Sequence, residues 1–148
     1  MIKHFQPGNL SKECIAHFLM KIHNQYWADR KIEVDLDQYS AKLSAQSVAF
    51  MYSDVSDNIS AALFGYANDL ISRIGFVSYI GKIKEAPRGV ATQLHARFVE
   101  YVWNVGMKRI RLEVRNTNFQ AISFYRKLGY ELLKNGELKS TFELQINR

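Results

Sequence analysis

The side-chain period changes within residues 109–130, and that change leaves few folds open. Residues 109–115 alternate strictly: Ile110, Leu112 and Val114 are apolar, Arg111 and Glu113 charged. A period of two belongs to a strand with one buried face. Asn118 then stands where a helix opens, and Ala121, Phe124, Tyr125 and Leu128 follow at the spacing of one helix face. Gly129 supplies a left-handed stop. Upstream, Ala91, Leu94, His95, Phe98, Val102 and Val105 mark one face of a longer helix ending near Gly106.

The rest of the chain is read the same way. Residues 2–5 suit a short strand, stopped by Pro7-Gly8. Ser11 caps a helix whose apolar face is Ile15, Phe18, Leu19 and Ile22, and residues 24–31 read as a loop. Asp35 or Asp37 caps a second helix carrying Leu36, Tyr39 and Leu43. Residues 47–53, 59–67 and 71–80 read as strands, with turn chemistry at 54–58 and at Asn68-Asp69. Residues 130–134 and 138–146 flank Asn135-Gly136, a hairpin signal. The order is β-α-α-β-β-β-α-β-α-β-β, a mixed α/β (α+β) single domain over residues 1–148.

With 148 residues, a chain buries about 70% of its unfolded surface and needs no covalent staple. The single cysteine, Cys14, excludes an intramolecular disulfide, and its apolar neighbours point to burial. The four histidines are scattered, so no metal site is expected. No apolar run approaches the roughly 18 residues of a membrane span, and Met1 to Pro7 lacks the apolar core of a signal peptide. These features fit a cytoplasmic protein. Residues 1–81 carry 7 Lys/Arg and 8 Asp/Glu, net −1, whereas residues 82–148 carry 13 and 6, net +7. A basic half suits a polyanionic partner. The basic residues form no run or stripe, which argues against nucleic acid.

Two fragments narrow the partner. A helix N-terminus offers unpaired N–H groups and the positive end of a dipole, so it attracts anions wherever the backbone can be approached. Gly89 and Ala91 provide that access before the longer helix. The six residues Ala86-Pro87-Arg88-Gly89-Val90-Ala91 resemble the Gln/Arg-x-x-Gly-x-Gly/Ala turn of the GNAT superfamily, the acyl-CoA-dependent N-acyltransferases. Gly89 and Ala91 match; Ala86 stands where Gln or Arg is usual, and Arg88 is the nearest basic residue. The second fragment is more specific. Asn118, Ala121, Phe124, Tyr125, Gly129 and Tyr130 follow the superfamily pattern Asn-x-x-Ala-x-x-Phe-Tyr-x-x-x-Gly-Phe/Tyr, directly after a strand.

The resemblance implies a mostly antiparallel sheet splayed in the middle, with helices on both faces. It implies acetyl-CoA as cofactor and an amine as acceptor. Gly89, Val90, Ala91 and Thr92 would offer N–H groups to the pyrophosphate, with Arg88 beside them. Tyr79, Ile80, Gly81, Lys82 and Ile83 would pair with the pantetheine arm through backbone groups. Asn118 would hydrogen-bond that arm. Tyr125 would sit near the thioester sulfur as the acid for the leaving thiolate. An N–H near Ile80 or Gly81 would hold the oxyanion.

No residue stands out as the base that frees the amine. His95 lies on an apolar helix face, which suits a core histidine. Glu113 and Asp69 are the other titratable candidates. His23, Tyr26, Trp27 and Asp29 fall between the first two helices, the region that walls the acceptor in this superfamily. Tyr26, Trp27 and Asp29 are the acceptor-binding candidates. Asp29, Glu33, Asp35 and Asp37 against Arg30 and Lys31 would suit a cationic acceptor, though helix capping explains part of that acidity. Three readings stay open: an acetyltransferase, an acyl-CoA-binding module of the same fold without turnover, and a basic nucleic-acid-binding domain. A homodimer is compatible with any of them.

Overall fold

The computed structural model describes residues 1–29, 31–32 and 34–147. Arg30 and Glu33, part of the charged segment before the second helix, lie outside the described residues. The elements run β1 (Ile2–Phe5), α1 (Lys12–Tyr26), α2 (Leu36–Gln46), β2 (Val48–Ser53), β3 (Ile59–Tyr66), β4 (Ile74–Lys82), α3 (Val90–Asn104), β5 (Arg109–Arg115), α4 (Phe119–Lys127), β6 (Glu131–Lys134) and β7 (Lys139–Gln145). This is the order read from the sequence, and the fold is mixed α/β. The seven strands form one sheet in the order β1-β2-β3-β4-β5-β7-β6. The pairs β1–β2, β2–β3, β5–β7 and β7–β6 are antiparallel, and β4–β5 is parallel.

The chain packs as two compact units, residues 1–65 with 79–98 and residues 66–78 with 99–148. In the first, Ser11 Oγ accepts the Cys14 N–H at the start of α1, and Asp35 Oδ1 accepts that of Gln38 at the start of α2. Asp37 pairs with Lys12 at 3.0 Å. Two of the four acidic residues in segment 29–37 thus serve a helix cap and a surface ion pair. Ile15, Phe18, Ile22 and Leu43 are buried, as is the stretch of β3 from Ala61 to Phe64. Burial of both faces explains why residues 59–66 show no polar alternation.

In the second unit, Ile110, Leu112 and Val114 are buried as their alternation predicts, together with Val102, Met107, Tyr130 and Phe142. The parallel ladder joins only Ile74–Phe76 to Arg109–Arg111. β5 continues to Arg115, paired with β7 along its full length. Among the described pairings, β5 beyond Arg111 therefore has no β4 partner.

Four local details differ from the sequence reading. α1 extends to Tyr26, because the Trp27 N–H still reaches the His23 carbonyl at 2.7 Å. β4 begins at Ile74 rather than at residue 71, because the Asp69 carboxylate accepts from Ile71 N, Ser72 N and Ser72 Oγ and winds 70–73 into a turn. Val105 lies past the end of α3 and is 38% exposed. Finally, Lys134 pairs with Thr141, so the connection is longer than a two-residue Asn-Gly turn. Asn116 closes it: Nδ2 donates to the Gly136 and Glu137 carbonyls, and Oδ1 accepts from Ser140 Oγ.

His95 is 3% exposed on α3, and burial pulls its pKa down to about 4. The folded chain holds it neutral while the unfolded chain takes a proton near the ordinary value of about 6.5. Its contribution is present above that value and is lost as pH falls through 4. The loss is on the order of 3 kcal/mol by linkage. Urea unfolding of His95→Gln and the parent at pH 7 and pH 4 should show a smaller acid loss in the variant.

Candidate functional site

In the first unit, the end of β4 leads into α3 through a tight loop. The Tyr79 ring folds back over Gly81, where an added Cβ would lie 2.6 Å from the phenol oxygen. Tyr79 also packs beside Phe64, with ring centroids 6.3 Å apart. Ile80 continues the strand. The Lys82 carbonyl accepts from the Tyr26 hydroxyl at 3.0 Å. Ile83 is buried, with its N–H on the Ser60 carbonyl and its carbonyl accepting from Ala86 N. Both backbone groups of Ile83 are thus spent within the fold.

Gly89 stands at φ +82 with nothing within 4 Å of a built Cβ. Its identity is set by backbone conformation, and the space above it is open. The Val90 N–H turns back to the Pro87 carbonyl at 3.3 Å, and the Gln93 N–H makes the first full helical bond, to Gly89. Among the described residues, the N–H groups of Gly89, Ala91 and Thr92 have no protein acceptor. Arg88 beside them is exposed. Unpaired donors at a helix N-terminus, under open space and near a guanidinium, fit a phosphate group. Of the four N–H groups expected there, three remain free and that of Val90 is taken.

In the second unit, Asn118 caps α4, its Oδ1 accepting from the Ala121 N–H at 3.2 Å. Its Nδ2 has no partner among the described residues. The capping and ligand-binding readings therefore call on different atoms of one side chain. At the other end, the Gly129 N–H bonds the Arg126 carbonyl, and the Tyr130 N–H bonds that of Tyr125. With Gly129 at φ +103, this is a Schellman closure. It brings the Tyr130 ring edge-on to Tyr125, centroids 5.5 Å apart, while Phe124 flanks Tyr125 at 5.3 Å. Tyr125 is 7% exposed, and burial pushes its phenol well above the ordinary tyrosine pKa. Among the described residues its hydroxyl has no hydrogen-bond partner.

The remaining candidates separate clearly. Trp27 ends α1 and is exposed, tilted against Tyr26 at 5.7 Å, and Asp29 is exposed. Asp69 is consumed by its turn, which lowers its pKa. Glu113 is exposed on β5. Cys14 is half-buried, and burial raises its thiol pKa. Among the described residues no His, Cys, Asp or Glu cluster could hold a metal ion. None of their helices is long and apolar enough to cross a membrane.

Residues 84–130, from the β4–α3 loop to the end of the α4 closure, match the model of the acetyltransferase (GNAT) family. The chain has the GNAT fold and carries the GNAT signature. An acetyltransferase of the GNAT family from Staphylococcus aureus Mu50 superposes with TM-score 0.77 at 15% identity, over 99% of this chain and 100% of its own. The ribosomal-protein-S18-alanine N-acetyltransferase of Escherichia coli gives 0.72 at 14%, over 100% and 96%. The PaiA N-acetyltransferase of Thermoplasma acidophilum, in complex with coenzyme A, gives 0.72 at 13%, over 99% of each chain. No curated protein matches the sequence significantly.

Within this GNAT fold, sequence reading passes over two residues. Asn116, two residues before the signature opens at Asn118, ties the β6–β7 connection to the end of β5. Gln25, placed in a loop, is a helical residue whose side chain reaches the β4–α3 loop. No motif marks Gln25; only the three-dimensional path of α1 does. Gly129→Ala should lower stability by about 1–2 kcal/mol, because its φ disfavours a Cβ. The added atom would also lie 3.3 Å from Leu144 Cδ1. Urea unfolding checks this, and an unchanged midpoint would show that the closure carries no strain-sensitive glycine.

Proposed function

We propose that the chain is an N-acetyltransferase, using acetyl-CoA to acetylate a primary amine of a small molecule or peptide. The observation that carries this reading is the closed end of α4, where Tyr125 is buried with an unclaimed hydroxyl inside the family-matched segment. Acetyl-CoA, when bound, supplies the acetyl group as a thioester. The free N–H groups of Gly89, Ala91 and Thr92, with Arg88, suit its phosphates. Asn118 Nδ2 suits a carbonyl of the pantetheine arm, as do the backbone groups of residues 79–82. Tyr125, its pKa raised by burial, keeps its proton through the neutral and mildly alkaline range and donates toward sulfur. The same burial disfavours a thiolate beside it, so proton demand rises in parallel with phenol pKa. Trp27 and Asp29 remain exposed and free to meet an acceptor.

A second reading, an acyl-CoA-binding module without turnover, is favoured by one feature. Ala86 offers no side-chain donor where the family usually has Gln or Arg, and its N–H closes a turn onto Ile83. Calorimetric titration with acetyl-CoA and CoA, followed by thiol-release assays against amines, separates the two readings. Micromolar binding with release on adding an amine supports the enzyme. Binding without release across amines, amino sugars and peptides supports the module, and no binding at millimolar cofactor overturns both.

Tyr125→Phe should reduce turnover about 10- to 1000-fold with cofactor affinity unchanged; unchanged turnover would remove Tyr125 as the acid. Gly89→Val should weaken CoA binding in the same titration, since a branched residue at positive φ both strains the loop and covers its donors. Undiminished affinity would move the phosphates elsewhere.

A further inference from the structure

The last turn of α1 grips the loop that leads to the free N–H groups of α3. Gln25 uses both ends of its amide: Oε1 accepts the Lys84 N–H at 2.8 Å, and Nε2 donates to Glu85 Oε2 at 3.0 Å. The next residue, Tyr26, donates its hydroxyl to the Lys82 carbonyl, and the Lys84 ammonium lies 5.4 Å from the Tyr26 ring centroid. Residues 82, 84 and 85 are thus all held by one helical turn, within seven positions of Gly89. Glu85 is the one carboxylate among residues 82–89, which otherwise carry the charges of Lys82, Lys84 and Arg88. A carboxylate competes with an anionic ligand for backbone donors, and Gln25 occupies it from the α1 side.

Resting on the proposed cofactor reading, we infer that Gln25 is a positioning residue for the cofactor loop. It touches no cofactor itself. It fixes the backbone at Lys84 and keeps the Glu85 carboxylate engaged with α1, so the loop presents the N–H groups of Gly89, Ala91 and Thr92 already ordered. Preordered donors bind more tightly because the ordering cost is met during folding. The helical turn that carries Gln25 continues directly into Trp27 and Asp29. The acceptor-side segment and the cofactor loop are therefore joined through the last turn of α1.

The test compares the parent with Gln25→Ala, with Gln25→Glu, and with a swap that combines Gln25→Glu and Glu85→Gln and so preserves net charge. Gln25→Ala should weaken CoA binding about fivefold, the scale of a lost hydrogen bond or two. Turnover at saturating acetyl-CoA should stay within about twofold, and the melting temperature within about 2 °C for a surface change. Gln25→Glu keeps an acceptor for Lys84 N but sets two carboxylates together, and should bind CoA still more weakly. In the swap, the carboxylate at position 25 accepts from both Lys84 N and the amide now at position 85, and parental affinity should return. Affinity within about twofold of the parent in Gln25→Ala, or failure of the swap to recover, overturns the inference. Hydrogen exchange at residues 82–89 of the free protein gives an independent arm. Faster exchange in Gln25→Ala is expected, and equal exchange overturns the brace. If the parent itself binds no CoA, the cofactor reading fails, while the exchange arm still decides whether Gln25 orders the loop.

Discussion

The parallel pairing of β4 with β5, three residues long, is the constraint on which the rest of the second half depends. Parallel neighbours cannot be joined by a hairpin, so the chain must cross over, and α3 is that crossover. A crossover helix begins just after the C-terminal end of its first strand, where its unpaired N–H groups face away from the ladder. The ladder ends at Phe76 and Arg111, and β5 continues against β7 alone among the described pairings. The same topology thus creates an anion-suited helix terminus.

Around that constraint, several residues of the matched segment and its approach are set by structural roles of particular atoms. Asn118 caps α4 with its oxygen and keeps its amide N–H groups. Gly129 permits a helix closure that delivers the Tyr130 backbone to Tyr125 and lays one ring edge-on against the other. The Gly-Tyr end of the signature thus holds the Tyr125 ring, and among the described residues its hydroxyl has no partner. At Gly81 the Tyr79 ring lies over the backbone, so an added Cβ would require that ring to shift. A letter in a motif can therefore record packing as much as ligand contact.

The β4–α3 loop shows the converse. Nothing in its composition reveals that α1 steadies it, because the partners Gln25 and Lys84 lie far apart in sequence and neither belongs to a pattern. The acidic segment before α2 would suit a cationic acceptor, with helix capping expected to explain part of it; Asp35 is that cap, and Asp37 is an ion-pair partner of Lys12. Local charge signals tend to be claimed first by the nearest backbone donors, which lie at fixed short separations.

Local periodicity and local capping determined much of this protein from sequence alone. Element order, the β5 alternation, the caps at Ser11, Asp35 and Asn118 and the stop at Gly129 all depend on neighbours within a few residues. The signature on α4 was legible for the same reason. Only the tertiary structure decided the rest. It lengthened the β6–β7 connection under Asn116. It spent the backbone of Ile83 on Ser60 and Ala86, and it placed Gln25 against Lys84 and Glu85. Most of these rest on hydrogen bonds between residues distant in sequence, whose partners are chosen by the path of the chain, and that path is not encoded at either residue alone.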